Sequence, residues 1–290
     1  MRKNILYFNI IFLILFSQKS YSDAWLQKKY HGIIITSIET KQFNSTNPNG
    51  SFNDTNKVYQ NLFILYGEYG ITNRITLGAK IIALDNFLLN GKNIFKDKVE
   101  QRHFGLDTSL LFWRLGIITK NKYITLSIVG QFGFPSVEHN RPQISYFSIK
   151  KYSYEPRLEI GIKFNKYNIM TITGGYHGYI NHWYDEVRTE IMYGHYFSDS
   201  ILLMAKFQKF FYVIKSSKTA QTTYVNLNTS VFDFLANTGF AKFTLSLATS
   251  ITKNTTLEFG AYTSIRSKLI KTKNLHLKMY GFYISCWFKF

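Results

Sequence analysis

The chain is poor in the residues that staple, kink or acidify a soluble domain. Its 290 residues include a single cysteine, Cys286, and only four prolines, and 17 acids face 35 lysines and arginines. One thiol excludes an intramolecular disulfide framework and a cysteine-based zinc cluster. Beyond residue 22 there is no run of about 18 consecutive apolar residues, which excludes a helical membrane span. No sustained helical periodicity and no glycine-rich phosphate loop ahead of a helix is present. Charged residues make up only 18%, but aromatics also reach 18%, far too many for a disordered chain.

What is there begins with an address. Arg2 and Lys3 precede an apolar run from Ile5 to Phe16, and Ser20-Tyr21-Ser22 supplies small residues at a cleavage site. This is the layout of a secretory signal peptide. No cysteine follows the run, so lipoprotein processing is not expected. Residues 1–22 are therefore expected to direct export through the Sec pathway, with a cut near Ser22, leaving 23–290 as one domain. The cut removes Arg2, Lys3 and Lys19 and no acid, so the formal charge falls from +18 to +15.

The exported part alternates with period two. In Ile75–Ile81 one face is Ile75, Leu77, Ala79 and Ile81, and the other carries Thr76, Gly78 and Lys80. Leu158, Ile160, Ile162 and Phe164 likewise oppose Arg157, Glu159, Gly161 and Lys163. Charges on alternate residues of otherwise apolar strands predict lipid outside and water inside, as in an outer-membrane barrel. Twelve such segments are predicted: 30–43, 59–69, 74–85, 102–115, 122–134, 152–164, 168–180, 183–196, 200–213, 238–250, 255–266 and 276–290. With the amino terminus periplasmic, all five even-numbered connections are six residues or shorter, and five of the six odd ones are longer. Short periplasmic turns and long external loops are the pattern of an up-and-down antiparallel transmembrane β-barrel, an all-β fold.

The short turns resemble one another. Ile71-Thr72-Asn73-Arg74, Phe197-Ser198-Asp199-Ser200 and Ile251-Thr252-Lys253-Asn254 share a pattern, with a looser copy at Ile118-Thr119-Lys120-Asn121. Their hydroxyls and carboxamides are expected to hold backbone amides in tight turns. At the other end of the chain, Tyr280, Phe282, Ile284, Cys286, Phe288 and Phe290 form an apolar face that ends on a terminal aromatic. Phe282, Ile284, Phe288 and Phe290 are thus expected to be the signal read by the bacterial barrel-assembly machinery. Cys286 is expected to act as a small lipid-facing apolar residue.

The run Tyr66-Gly-Glu-Tyr-Gly-Ile-Thr-Asn-Arg-Ile-Thr-Leu-Gly78 resembles the Tyr-Gly-(apolar)-Thr-Asp-Arg-(apolar)-x-(apolar)-Gly hairpin of one family of outer-membrane proteins. These are the transporter-like proteins named for the meta-cleavage pathway of phenol degradation. Ala24-Trp25 with Lys29 and Gly32 resembles their mature start, while Asn73 stands where the family often has Asp. The resemblance covers about 50 residues. It implies a barrel and an association with uptake of aromatic compounds, and it carries no catalytic residue.

Catalytic chemistry is expected to be absent. None of the seven histidines is followed two residues on by serine, as an outer-membrane phospholipase requires. Asp185 beside His182 is the nearest approach to an Asp-His couple at the outer rim. His177, His182 and Asp185 make too thin a set for a metal site, and His195 lies at the far end of its strand. No cofactor and no metal is expected. An autotransporter translocator also has about twelve strands, but a passenger segment ahead of this barrel is not expected.

The lumen is the candidate site. Its expected lining is Lys80, Asp107, Arg157, Glu159, Lys163, Glu186, Arg188, Glu190, Lys206, Lys242, Glu258 and Arg266, seven bases against five acids. The segment 214–237, with Val231, Phe232, Phe234 and Leu235, is expected to fold in as a constriction. The external connections hold 12 basic and five acidic residues, so a basic rim is expected to meet lipopolysaccharide phosphates rather than nucleic acid. The expected protein is a monomeric, narrow, transporter-like channel for small solutes, hydrophobic or aromatic ones among them. A closed structural or surface-interaction barrel is the alternative, and an outer-rim hydrolase the third reading.

Overall fold

The computed structural model describes residues 26–44, 57–89, 102–106, 109–119, 121–135, 152–180, 184–214, 240–266 and 278–290. The leader, residues 1–22, and nearly all of 214–237 lie outside this set. Every regular element within it is a strand. These are β1 (Gly32–Asn44), β2 (Lys57–Gly70), β3 (Ile75–Leu89), β4 (Arg102–Leu106), β5 (Ser109–Ile118), β6 (Ile124–Phe134), β7 (Ser153–Lys163), β8 (Asn168–Tyr179), β9 (Tyr184–Ser198), β10 (Ile201–Ile214), β11 (Phe240–Ser250), β12 (Thr255–Arg266) and β13 (Lys278–Lys289).

Each strand pairs antiparallel with its sequence neighbour, β1 pairs with β13, and β2 pairs with β3, so the sheet closes on itself. Segments β4 and β5 both pair with β3 and form one interrupted stave, which makes a closed twelve-stave barrel. Closure leaves no sheet edge, the condition for strands to cross a membrane.

The alternation read in the sequence places the walls. On β6, Ile124, Ile128 and Phe132 face out, while Thr125, Ser127 and Val129 are buried inside. Ile34 and Ile38, Phe63 and Leu65, Leu245 and Leu247, and Phe282, Ile284 and Phe288 likewise form the outer surface. Leu245, 47% exposed in the bare protein, has no reason to be there except lipid.

Residues 28–31, the last residue Phe290 and the short turns lie at one rim. Gly32 N–H donates to Phe290 O (2.9 Å) and Phe290 N–H to Gly32 O (3.1 Å), closing the seam there. Two of the repeated turns share one bonding scheme. Ile71 N–H donates to Ile75 O and Ile251 N–H to Thr255 O, both at 2.9 Å. Thr72 Oγ1 accepts from the amides of Arg74 (3.1 Å) and Ile75 (3.0 Å), and Thr252 Oγ1 from those of Asn254 (3.2 Å) and Thr255 (3.0 Å). Asn121 and Asn165 do the same with their carboxamide oxygens. The same rim carries Lys-Tyr pairs, with the ammonium of Lys29 4.5 Å above the Tyr30 ring and that of Lys166 4.5 Å above Tyr167. An amphipathic ring with a cation suits a membrane–water interface.

One irregularity changes the inside of the barrel. Along β3, Ala83 pairs with Leu106 but Lys80 pairs with Leu110, so five residues of one stave span four of the other. The extra residue between Leu106 and Leu110 reverses which face each later side chain takes.

Candidate functional site

The inward faces of the staves enclose a cavity of about 410 Å³. Of the expected lumen residues, Lys80, Arg157, Glu159, Glu190, Lys206, Lys242 and Glu258 line it directly. Glu186 and Arg188 also point inward, next to one another above it, and Lys163 shares the inward parity of Arg157 and Glu159 toward the short-turn rim. Asp107 and the side chain of Arg266 lie outside the described residues.

Five inward charges were absent from that expectation. Reading 102–115 as one uninterrupted strand with Asp107 inward turns Arg114 outward; the shift in register between Leu106 and Leu110 turns it in, where it is 2% exposed. Glu39 and Lys41 on β1 follow three consecutive isoleucines that blur the period. Glu68 on β2 stands among aromatics and glycines. Glu155, two residues before Arg157, shares its parity and was legible.

These residues form a continuous charged belt. Arg114 donates from Nη1 to Glu68 Oε1 (2.8 Å) and from Nε to Glu159 Oε2 (3.0 Å). Arg157 Nη2 lies 2.9 Å from Glu159 Oε1 and Arg157 Nη1 3.7 Å from Glu155 Oε1. Arg188 joins Glu155 (3.0 Å) to Glu186 (2.6 Å). Alternating signs let each carboxylate sit between donors in a space shielded from bulk water. On the next stave Lys206 is 3.3 Å from Glu190, which also accepts from Gln208 Nε2 at 2.6 Å.

The opposite wall is built differently. Glu39 is held by Lys41 (3.1 Å) and accepts from Tyr262 Oη (2.5 Å), and Glu258 accepts from Tyr283 Oη (2.7 Å). Both tyrosines lie over glycines of the neighbouring strand, Tyr262 over Gly281 and Tyr283 over Gly260. Missing side chains there leave the room the rings fill. The floor toward the short-turn rim is an apolar cluster of Ile169, Met192, Tyr196, Leu202, Met204 and Ala248, with Trp287 against it. Leu26 and Gln27 also enter this mouth: Leu26 lies against Gly116, and Gln27 Nε2 donates to Glu68 Oε2 at 3.1 Å.

The rim histidines do not assemble. His177 faces the lumen, with Nδ1 2.7 Å from Glu155 Oε2. Asp185 is on the other parity, fully buried, accepting from Tyr176 Oη and from the Tyr179 amide (2.8 Å). That carboxylate organises the end of a hairpin. His195 pairs with Asn168 near the opposite rim, and His182 lies outside the described residues. Among the described residues no three metal-ligating side chains come together.

No family model matches the chain, and no curated protein matches it. Solved structures do. A COG4313 outer membrane channel from Pseudomonas putida F1 aligns over 94% of this chain and 100% of its own, with a TM-score of 0.68 at 11% identity. The translocator domain of the autotransporter NalP from Neisseria meningitidis covers 100% of this chain and 95% of its own, with a TM-score of 0.50 at 8% identity. At such identities the likeness is one of fold: a closed antiparallel outer-membrane β-barrel.

Proposed function

We propose that this chain is a bacterial outer-membrane barrel acting as a narrow, transporter-like pore for small solutes. The observation that carries the reading is the cavity of about 410 Å³ inside a closed barrel, lined from every side by charged, polar and aromatic groups. A barrel that served only as a scaffold needs no such space, since a small lumen can be filled by side chains. The hairpin from Tyr66 to Gly78, with its resemblance to transporter-like proteins of phenol degradation, supports the same reading. On this account residues 1–22 direct Sec export, the assembly machinery reads the terminal strand, the basic rim contacts lipopolysaccharide, and the barrel works as a monomer.

The test is single-channel recording of refolded protein in planar bilayers, with solute-driven swelling of proteoliposomes beside it. Small discrete steps and uptake of small solutes are expected. Silence in both assays sinks the pore reading and leaves the closed barrel, for which the charged belt and the apolar floor are the favouring observations.

A further inference from the structure

The acids and the bases of the cavity are not equally engaged. Glu39, Glu159, Glu190 and Glu258 each accept from a donor in the wall. Two of the lysines have no such partner: among the described residues no carboxylate lies within 4.0 Å of the ammonium of Lys80 or Lys242. Lys242 instead stands 3.5 Å over the ring of Tyr262. Lys80 is on β3 and Lys242 on β11, nearly opposite around the ring; Glu39 attracts both from beyond ion-pair distance, while Lys41 and Lys206 repel both. Like charges turned toward a shared space raise one another's energy, and an anion between them relieves it.

The rest of the lining tells what the anion is attached to. Phe112 stacks on Tyr66 at 5.4 Å, and Met192 and Met204 continue the apolar surface. A bare inorganic ion has no use for that half of the site.

We propose that the cavity is a binding site for small organic carboxylates, with Lys80 and Lys242 recognising the charge. The aromatic and methionine side chains take the apolar body. The proposal deepens the pore reading by naming its solute class and rests on it for transit, though not for binding.

The experiment is calorimetric titration of the refolded barrel in detergent micelles with sodium benzoate, benzyl alcohol and sodium sulfate, beside bilayer recordings under a potassium chloride gradient. Saturable benzoate binding is expected, with benzyl alcohol and sulfate at least tenfold weaker. Lys80→Met with Lys242→Met should weaken benzoate at least tenfold and abolish any preference for anions in the reversal potential. The charge-conserving Lys80→Arg, whose folding is checked by heat-modifiable gel mobility, should retain binding within a few-fold. Absent or variant-insensitive benzoate binding overturns the proposal, and sulfate binding as tight as benzoate overturns the carboxylate assignment. Steps in the bilayer without benzoate binding leave the pore and remove this site. Binding without steps keeps the site and removes the pore.

Discussion

Arg114 and Glu159 are bonded at 3.0 Å across an intervening strand, and the same guanidinium reaches Glu68 on the other side at 2.8 Å. One side chain on β5 thereby ties β2 to β7 over the heads of β3 and β6. Arginine suits this because its fork presents several donors in fixed directions, which an ammonium does not. Arg114→Met leaves Glu159 with Arg157 and Glu68 with the neutral donors Gln27 and Tyr66, and the loss of the shared cation should lower stability by about 1–3 kcal/mol. Lysine at the same place should restore only part. Urea unfolding in lipid vesicles measures both, and wild-type stability in the methionine variant would show that water already serves those carboxylates.

Leu245 and Ile160 sit on the lipid face of their strands. Arginine at either position should destabilise the barrel by about 2–4 kcal/mol if the site is near the bilayer midplane. The same unfolding assay reads it. Tolerance at both positions means that the assignment of faces is inverted.

Thr72 and Thr252 each accept from two backbone amides in turns that are copies of one another. Thr72→Ala and Thr252→Ala should each lower stability by about 0.5–1.5 kcal/mol. Strands β1 and β13 separate the two turns, so the double variant should show the sum. A coupling well above the error of the unfolding curves would contradict independent turns.

A methyl group on Gly281 would come within 2.2 Å of the Tyr262 ring, which Glu39 and Lys242 hold in place. Gly281→Ala should therefore lower stability by about 1–3 kcal/mol through overpacking. Thermal unfolding of the refolded variant is the measurement. An unchanged midpoint would mean that the ring swings freely into the lumen.

Phe290 closes the seam twice. Its backbone exchanges two bonds with Gly32, and its ring stacks near Tyr69 at a centroid distance of 6.4 Å. Deleting Phe290 should reduce the heat-modifiable, folded fraction several-fold in cells, and less on refolding in detergent. Equal losses in both settings would assign the defect to the seam itself rather than to recognition of the last strand.

Much of this protein can be read from the chain because each barrel strand meets two solvents at once. Thr76, Gly78 and Lys80 could face only water once Ile75, Leu77 and Ile81 faced lipid, and the structure puts them there. The turn chemistry of Thr72 and Thr252 is equally local. Glu155 was legible by the same rule, two residues from Arg157. Arg114 was not, because a one-residue shift in register leaves no mark in composition and reverses everything after it.

The barrel wall is written along the chain: period-two faces, repeated turns, and a final strand ending in an aromatic. These follow from nearest neighbours along the chain and from the contrast between lipid and water. Only the tertiary structure decided which charges meet inside. Arg114 with Glu159, and Lys80 opposite Lys242, lie on staves brought together by closure and by register, and neither is written in any local stretch of residues. A lumen is made by the whole ring at once, so its pairings and its unpaired cations appear only when the ring is shut.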